Sequence, residues 1–318
     1  MAQIRTIVGI DIAKDKVDVA LRAAGIEASF PNTPSGRRQL VKWVKQHQVD
    51  KAVMEASGGY ERSWARLLQD GGIEVWIVDP KRVRRFAQSA GQLAKTDRID
   101  ARMIAWFGET FADGIGRQPD VAREELDRLV SARTDLMDLR TRLADLGEDD
   151  QPDEVRRCYR RIDKTMTEQV SLLEAAIEAR VAANARFVEL ARIIRSVPNL
   201  GRISVAGLLA FLPELGLVAN KQASALVGVV PYEDSSGKHQ GRRFIQGGRR
   251  KLRNLLYLPI VGAATRGNPV LKAYYKRLRE RGKEPKVALI ACMRKLIVIL
   301  NTMVARGQTW DPQKHAIA

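Results

Sequence analysis

The sequence predicts an α/β domain followed by a mainly helical remainder, in a chain of 318 residues. Its first 110 residues alternate short β-branched runs with amphipathic segments, which is typical of strands and helices that build one sheet. The later residues keep helical spacing over much longer stretches. The charge is also uneven, because residues 1–118, 119–191 and 192–318 carry net charges of +5, −5 and +17. We therefore expect three regions with these bounds.

The N-terminal region opens with three predicted strands. Ile4–Ala13 is a β-branched run, Val17–Leu21 alternates apolar residues with polar or small ones, and Glu27–Pro31 is a third short strand. Their short connections predict an antiparallel meander. Ser35 is the expected N-cap of a helix that continues through Val44.

Strands and helices alternate after this meander. We expect a strand at Lys51–Ala56, a helix at Tyr60–Gln69, a strand at Glu74–Val78, and helices at Arg82–Ser89 and Asp97–Phe107. The resulting order, βββαβαβα, is that of a ribonuclease-H-like fold. In such a sheet the first and fourth strands are neighbours, so we expect their ends to lie side by side.

Four carboxylates occupy positions that this sheet would bring together. Asp11 and Glu55 end the first and fourth strands, while Asp97 and Asp100 stand three residues apart on one face of the last helix. Carboxylates about 5 Å apart repel by roughly 3 kcal/mol per pair at an effective dielectric constant near 20, so a divalent cation would stabilise them. The pattern predicts a site for two Mg²⁺ ions, with Mn²⁺ as an alternative, suited to phosphoryl transfer on nucleic acid.

Other charged residues lie near these acids in the sequence. A lone acid at a strand end is more often structural than catalytic, and we expect Glu61 and Asp79 to be structural. Arg98 and Arg102 flank the helical pair, where they would contact phosphate or balance charge, and Lys14 is suited to either role.

The middle region has the pattern of a coiled coil. Between Val121 and Leu146, one seam position holds Leu129, Leu136 and Leu143, and the other holds Ala132, Leu139 and Leu146. After a polar break, Val155–Val181 keeps helical spacing. The pattern predicts either two antiparallel arms of one chain or a pair that joins two protomers.

Several classes of protein are disfavoured by composition. The chain starts with a strand rather than a signal peptide, so we expect a cytoplasmic protein. The longest apolar stretch, Val287–Ala305, is interrupted by Arg294 and Lys295, which favours a buried or dimer-facing helix over a membrane span. Cys158 and Cys292 are isolated, so we expect inert packing residues rather than disulfides or zinc ligands.

The C-terminal region carries the charge of a nucleic-acid-binding domain, because cations that contact phosphate release condensed counterions. Residues 196–201 resemble the turn of a helix-hairpin-helix element, and they fit an ordinary helical turn equally well. Asn199 stands where glycine is more usual, and asparagine tolerates left-handed backbone geometry. Seven basic residues form a run after Pro231 and are candidates for binding nucleic acid: Lys238, Arg242, Arg243, Arg249, Arg250, Lys251 and Arg253. Ser236 lies at the start of this run and is a candidate nucleophile, since nearby arginines would stabilise its alkoxide.

Seven short segments carry a resemblance to a known family. Val8–Lys14, Met54–Gly58 and Lys95–Ala101 resemble the three acidic motifs of the DEDD transposases of insertion sequence family one-ten, relatives of the Piv DNA invertase. Four further segments resemble the C-terminal transposase domain of that family: Val197–Gly201, Gly228–Pro231, Ser236–Lys238 and Arg249–Leu256. The resemblance runs over nearly the whole chain, and the third acidic motif is highly specific.

The resemblance implies a domain organisation and a set of partners. Residues 1–118 would form a RuvC-like catalytic domain, residues 119–191 a coiled coil that assembles protomers, and residues 192–318 a transposase domain that supplies the serine. Donor and target double-stranded DNA, a homodimer or homotetramer, and a structured noncoding guide RNA, or bridge RNA, from the mobile element are also implied. Composition by itself does not indicate an RNA guide.

The same resemblance implies roles for individual residues. The metal ligands would be Asp11, Glu55, Asp97 and Asp100. Ser236 would attack DNA and form a phosphoserine intermediate, with Ser235 as the alternative hydroxyl.

Three other functions remain open. A metal-dependent junction resolvase or nuclease would use the same acids with water as nucleophile, and Ser236 would only shape a turn. An actin-like kinase would need a glycine just after Asp11, which Ile12-Ala13-Lys14 lacks. A basic architectural protein would bend or coat DNA without catalysis.

Overall fold

A computed structural model of the protein describes residues 5–92, 97–111, 120–147, 151–232, 235–236, 239–240 and 244–315. For residues 97, 98, 235, 236, 239, 240 and 315 it describes the backbone alone. The chain divides into two compact units, Met1–Asp120 and Val121–Ala318. The boundary between them lies two residues from the predicted end of the α/β region.

The first unit is a five-stranded mixed sheet with four helices. Its elements are β1 (Ile7–Ile12), β2 (Lys16–Leu21), β3 (Ile26–Pro31), α1 (Pro34–Gln46), β4 (Lys51–Glu55), α2 (Glu61–Asp70), β5 (Glu74–Val78), α3 (Pro80–Ser89) and α4 (Asp97–Thr110). The strand order is β3-β2-β1-β4-β5. β1 to β3 are antiparallel, whereas β1, β4 and β5 are parallel. The predicted meander and the neighbouring first and fourth strands are therefore confirmed.

Side chains on alternate positions of β1 face two separate apolar cores. Val8, Ile10 and Ile12 pack with residues of α1 and α2 on one face of the sheet. Ile7 belongs to the core on the other face, which it shares with residues of α3 and α4. Because a strand alternates its side chains between the faces, Gly9 and Asp11 lie on the α4 side together with Ile7.

Helix α4 approaches β1 closely at Gly9. A Cβ atom at this position would overlap the carbonyl oxygen of Ala101 and the amide nitrogen of Ala105, and would lie 2.8 Å from the Cα atom of Ala105. Glycine therefore lets the helix backbone rest directly on the strand. This contact fixes the height of the N-terminal part of α4 above the end of β1.

Two details of the first unit differ from the sequence-based expectation. The N-cap of α1 is Thr33 rather than Ser35, because Thr33 Oγ1 accepts a hydrogen bond from Gly36 N at 3.3 Å. Pro34 occupies the first helical position, where its missing N–H costs nothing. In addition, β2 is buried on both faces from Val17 to Leu21, since α4 covers the face expected to be polar.

The second unit is mostly helical. Its α-helices are α5 (Val121–Gly147), α6 (Asp153–Ala182), α7 (Ala185–Arg195), α8 (Arg202–Phe211), α9 (Asn220–Val227), α10 (Arg250–Gly262), α11 (Pro269–Glu280), α12 (Pro285–Arg306) and α13 (Pro312–His315). Four two-residue strands lie between α9 and α10: β6 (Pro231–Tyr232), β7 (Ser235–Ser236), β8 (His239–Gln240) and β9 (Phe244–Ile245). A π-helical turn, Ala263–Gly267, joins α10 to α11.

Helices α5 and α6 form an antiparallel hairpin within one chain. Three ion pairs cross between them, Arg133–Glu174 at 2.9 Å, Arg140–Asp163 at 2.8 Å and Arg180–Glu125 at 3.2 Å. The base of the hairpin belongs to the core of the second unit, which contains Leu126, Val130, Ile177 and Val181. Further out, Leu139 and Leu146 of the second seam position are 46% and 56% exposed.

Helix α12 is the central helix of this second core. It has the length and hydropathy of a membrane span, and 56% of its most apolar window is buried within the protein. Such burial is typical of a core helix, as the charged pair Arg294-Lys295 predicts. Cys292 on α12 is fully buried, and desolvation raises the pKa of its thiol to about 12. Cys158 is exposed on α6, so the expectation that both cysteines are packing residues is wrong for Cys158.

The Gly9→Ala substitution tests the contact between α4 and β1. We expect it to lower the free energy of unfolding by about 3 kcal/mol or more, because the added methyl group meets backbone that cannot rotate away. Gly147→Ala is the matched control, since its Cβ would lie 3.8 Å from Tyr159 Cδ2, an ordinary contact. Urea denaturation of the two variants measures the difference, and equal stabilities would contradict the close contact.

Candidate active site

Asp11 and Glu55 stand at the ends of adjacent parallel strands. β1 pairs with β4 through Ile10 opposite Met54, and each carboxylate belongs to the next residue along its strand. Neighbouring strands lie about 4.8 Å apart. Both residues are half-buried, and alternation puts both on the sheet face that α4 covers.

The first turn of α4 adds the other two predicted acids to this region. Asp100 precedes Ala101, whose carbonyl lies against Gly9, and it is four residues before Ile104 in the core beneath α4. Residues three and four apart share a helix face, so Asp100 lies on the sheet-facing side. Asp97 is on the same stripe of the backbone, while its side chain lies outside the described part of the structure.

The four predicted acids thus share one edge of the sheet, but their described side chains do not form a complete metal cage. Among the side chains that the structure describes, no three of Asp, Glu, His or Cys are placed to hold one ion. Asp11, Glu55 and Asp100 each take part in other polar or electrostatic interactions. The donor set consists of carboxylate oxygens, which suits a hard cation such as Mg²⁺ or Mn²⁺.

The loop after β4 is shaped by a buried glutamate. Glu61 Oε2 accepts hydrogen bonds from Ser57 N at 3.0 Å, Ser57 Oγ at 3.1 Å and Gly59 N at 2.8 Å. Gly58 and Gly59 have φ values of 72° and 110°, which glycine adopts without strain. The structural role predicted for Glu61 is confirmed, and its hydrogen bonds fix the chain that leaves Glu55.

Asp79 is also structural, as predicted. Its carboxylate caps α3 by accepting a hydrogen bond from Lys81 N at 2.8 Å. Arg102, which was expected to contact phosphate or balance charge, forms an ion pair with Glu27 on β3, to which its Nε donates at 3.0 Å, and so it balances charge. The side chain of Arg98 lies outside the described residues.

The sequence analysis missed a fifth carboxylate on this face. Asp18 pairs directly with Asp11 across β1 and β2, and only 4% of Asp18 is exposed. Lys16 Nζ lies 2.9 Å from its carboxylate, so the buried charge is paired. Asp18 looked like a solvated position on an amphipathic strand; only the knowledge that α4 crosses β2 would have identified it as buried.

The candidate nucleophile lies on a β-hairpin of the second unit. At the base of this serine hairpin, Pro231 pairs with Ile245 and Tyr232 with Phe244. Further along, Ser235 pairs with Gln240 and Ser236 with His239. Gly237-Lys238 follows Ser236 in the sequence and lies outside the described residues, as does the side chain of Ser236.

The seven basic candidates fall into different environments. Lys238, Arg242 and Arg243 lie outside the described residues. Arg249 forms a bidentate pair with Glu214, with both N–O distances 2.5 Å. Two other contacts hold parts of the second unit together: Arg253 Nη1 donates to the carbonyl oxygens of Val227, Gly228 and Gly247, and Lys251 Nζ lies 3.1 Å from Ser131 Oγ.

Arg250 is exposed at the first turn of α10. No ion pair involves it in the part of the chain that the structure describes. It is therefore the basic residue of the described run that is best placed to contact a phosphate.

The turn between α7 and α8 has the predicted left-handed asparagine. Asn199 has a φ of 70°. A Cβ on Gly267 would overlap the amide of Asn199, so this side chain fills the space beside the π-helical turn. The amide packs against other parts of the unit, which makes Asn199 a structural residue as well as a turn former.

Comparison with known proteins gives a consistent assignment. A family model described as a transposase, of the DEDD type of IS110 elements, matches residues 8–145. A second, described as the transposase IS116/IS110/IS902 family, matches residues 191–276. Together the two matches cover about 70% of the chain.

Individual relatives agree with these matches. The chain is 24% identical over 327 aligned positions to the pilin gene-inverting proteins of Moraxella bovis and Moraxella lacunata, covering 98% of this chain and 99% of each relative. It is 28% identical over 151 residues to an uncharacterized IS110 protein of Streptomyces coelicolor, covering 47% of this chain and 36% of that protein. The α/β sheet unit, the helical unit and these matches define a DNA-recombining class of protein. The chain belongs to the IS110 family of transposases.

Substitutions of the adjacent residues Arg249 and Arg250 test which basic residues stabilise the fold and which are exposed to a ligand. Arg249→Ala should lower the free energy of unfolding by about 1 kcal/mol, because it removes the bidentate pair with Glu214. Arg250→Ala should leave stability unchanged and reduce the salt dependence of DNA affinity by about one unit of slope. Thermal melting and binding titrations at several salt concentrations measure the two effects. A loss of stability in Arg250→Ala and a reduced salt dependence in Arg249→Ala would contradict the structural role of Arg249 and the exposed role of Arg250.

Proposed function

We propose that this protein is the transposase or site-specific recombinase of a mobile insertion sequence, and that it cuts and rejoins DNA strands. The observation that carries the proposal is the parallel pairing of β1 with β4 under α4. This pairing brings the backbones of the four predicted acids to one edge of the sheet. The order of elements and strands supports a ribonuclease-H-like, RuvC-like domain for residues 1–118.

The acids would hold the cations that the reaction needs. Asp11, Glu55, Asp97 and Asp100 supply only carboxylate oxygens, the ligands that Mg²⁺ prefers. When bound, one or two such ions would polarise the scissile phosphate and offset the charge that develops on its oxygens.

Ser236 would be the nucleophile. Its oxygen attacks the phosphorus of a DNA strand, a P–O bond to one deoxyribose breaks, and that deoxyribose leaves as a free hydroxyl after taking up a proton. A hydroxyl of another strand then attacks the phosphoserine, which restores the serine and joins the two strands. Each step exchanges one phosphodiester for another, so the bond energy is kept and no external energy source is required.

The proposal also includes the assembly of protomers and the selection of DNA sites by an RNA. The exposed apolar residues Leu139 and Leu146 on the α5–α6 hairpin are suited to joining protomers as a coiled coil in a dimer or tetramer. The pilin gene-inverting relatives, by their name, invert a DNA segment, which supports recombination of double-stranded DNA here. A noncoding bridge RNA from the element would select donor and target, and the protein would act in the cytoplasm.

The Ser236→Ala substitution tests the chemical step. The substrate is a plasmid that carries the DNA flanking the coding region on both sides, which would also encode the guide RNA. We expect Ser236→Ala to lower strand cleavage by at least about 10³-fold, as removal of a covalent nucleophile does. It should also abolish the covalent protein–DNA adduct seen on denaturing gels with labelled DNA.

Ser235→Ala is the matched control and should retain both cleavage and adduct. If Ser235→Ala loses the adduct and Ser236→Ala keeps it, the nucleophile is Ser235. Cleavage by Ser236→Ala at the wild-type rate would favour a nuclease that uses water. Recombination that survives Asp11→Asn would favour a non-enzymatic architectural protein and refute catalysis by the acids.

A further inference from the structure

The second unit contains an open cavity of about 560 Å³ beside the base of the serine hairpin. Pro231 of β6 and Phe244 and Ile245 of β9 form one wall. Tyr274 of α11 and one stripe of α12 form the others. The volume lies within the range of about 300–1,000 Å³ that is typical of ligand sites.

The α12 stripe that lines the cavity is exposed or partly buried, and its Ile290 also packs against the core. It contains Val287, Ile290, Ala291, Arg294 and Val298, which recur at helical spacing. Val287 is 55% exposed and Phe244 is 49% exposed, so apolar surface reaches the mouth of the cavity. Aromatic rings and aliphatic side chains thus give the cavity apolar walls.

The charged residues in the described part of the cavity lining are all cations. They are Lys286, Arg294 and Lys295, and no acid is among the lining residues that the structure describes. None of the three forms an ion pair with a carboxylate in the described part of the chain. An occupant with a flat apolar body and an attached anion would match both features, and a nucleotide has that chemistry.

We propose that this cavity holds one unstacked nucleotide of the DNA strand that Ser236 attacks, with its base against Tyr274 and Phe244 and its phosphate among the three cations. The proposal rests on the recombinase function proposed above. Enzymes that do chemistry on a single base move that nucleotide out of the stack into such a pocket.

The distance to the serine is compatible with this role. Ser236 is five positions after Pro231 in the sequence, so their Cα atoms are at most about 18 Å apart. A DNA strand advances about 3.4 Å per nucleotide in a duplex. The cavity would therefore take a nucleotide within about five positions of the phosphate that joins Ser236.

Fluorescence of a base analogue tests the proposal. The probe is a short oligodeoxythymidine that carries one 2-aminopurine, added to the full chain, with acrylamide as the quencher. We expect the wild-type protein to protect the analogue from quenching. Ala291→Leu should fill the cavity and Tyr274→Ala should remove the stacking surface, and each should abolish protection and weaken binding by about 5-fold or more.

Matched variants separate the pocket from general effects on folding. Ala273→Leu places the same change at an exposed position of α11 outside the cavity. Tyr274→Phe keeps an aromatic ring at the same position. Both should protect the analogue as the wild type does, and thermal melting should show that all four variants are folded.

Several results would overturn the proposal. Protection of the analogue in Ala291→Leu and Tyr274→Ala at the wild-type level would contradict it. If these variants also changed the oligomeric state of the protein, the cavity would be an interface between copies. Protection of an RNA probe but not of the DNA probe would exclude a DNA strand as occupant.

Ser236→Ala distinguishes this inference from the proposed function. It should protect the analogue fully while forming no covalent adduct with DNA. If the wild type also forms no adduct but protects the analogue, the phosphoserine mechanism fails and the nucleotide pocket stands. If the wild type forms the adduct without protection, the pocket fails and the mechanism stands.

Discussion

The direct contact of α4 with β1 at Gly9 is the constraint on which the proposed chemistry depends. Since no side chain stands between the two backbones, the first turn of α4 is held at a fixed height over the ends of β1 and β4. Any larger residue at Gly9 would push the helix, and with it Asp97 and Asp100, away from Asp11 and Glu55. The hydrogen bonds of Glu61 to the loop after β4 and the burial of Asp18 under α4 constrain the same edge from two other sides.

The basic residues of the second unit have different roles. Its core is built around α12, while Arg249, Arg253 and Lys251 hold neighbouring segments together through Glu214, three backbone carbonyls and Ser131. A run of positive charge in a sequence is therefore not a uniform binding strip. The cations that remain available to an anionic ligand are those that form no ion pair within the described part of the chain, such as Arg250 on α10 and the three that line the cavity beside the serine hairpin.

Much of this organisation could be predicted from the sequence, and the failures have physical causes. The strands follow from periodicity and spacing, which are local, and their order follows from the ribonuclease-H-like succession of elements. The same succession predicts that Asp11 and Glu55 stand on neighbouring strands. The N-cap of α1 lies two residues before the predicted Ser35, because the fixed φ of Pro34 suits the first helical position and makes Thr33 the cap. The burial of Asp18, the pairing of Arg249 with Glu214 and the exposure of Cys158 depend on which distant element covers each residue, and no local pattern carries that information.

The most direct test of the account is a titration of the full chain with Mn²⁺, followed by the electron paramagnetic resonance signal of the free ion. The account predicts that the wild-type protein binds Mn²⁺ and that Asp11→Asn and Glu55→Gln each abolish this binding. Asp15→Asn, an exposed aspartate in the turn after β1, should leave it unchanged. Equal Mn²⁺ binding by the wild type and both site variants would contradict a metal site at the shared edge of β1, β4 and α4.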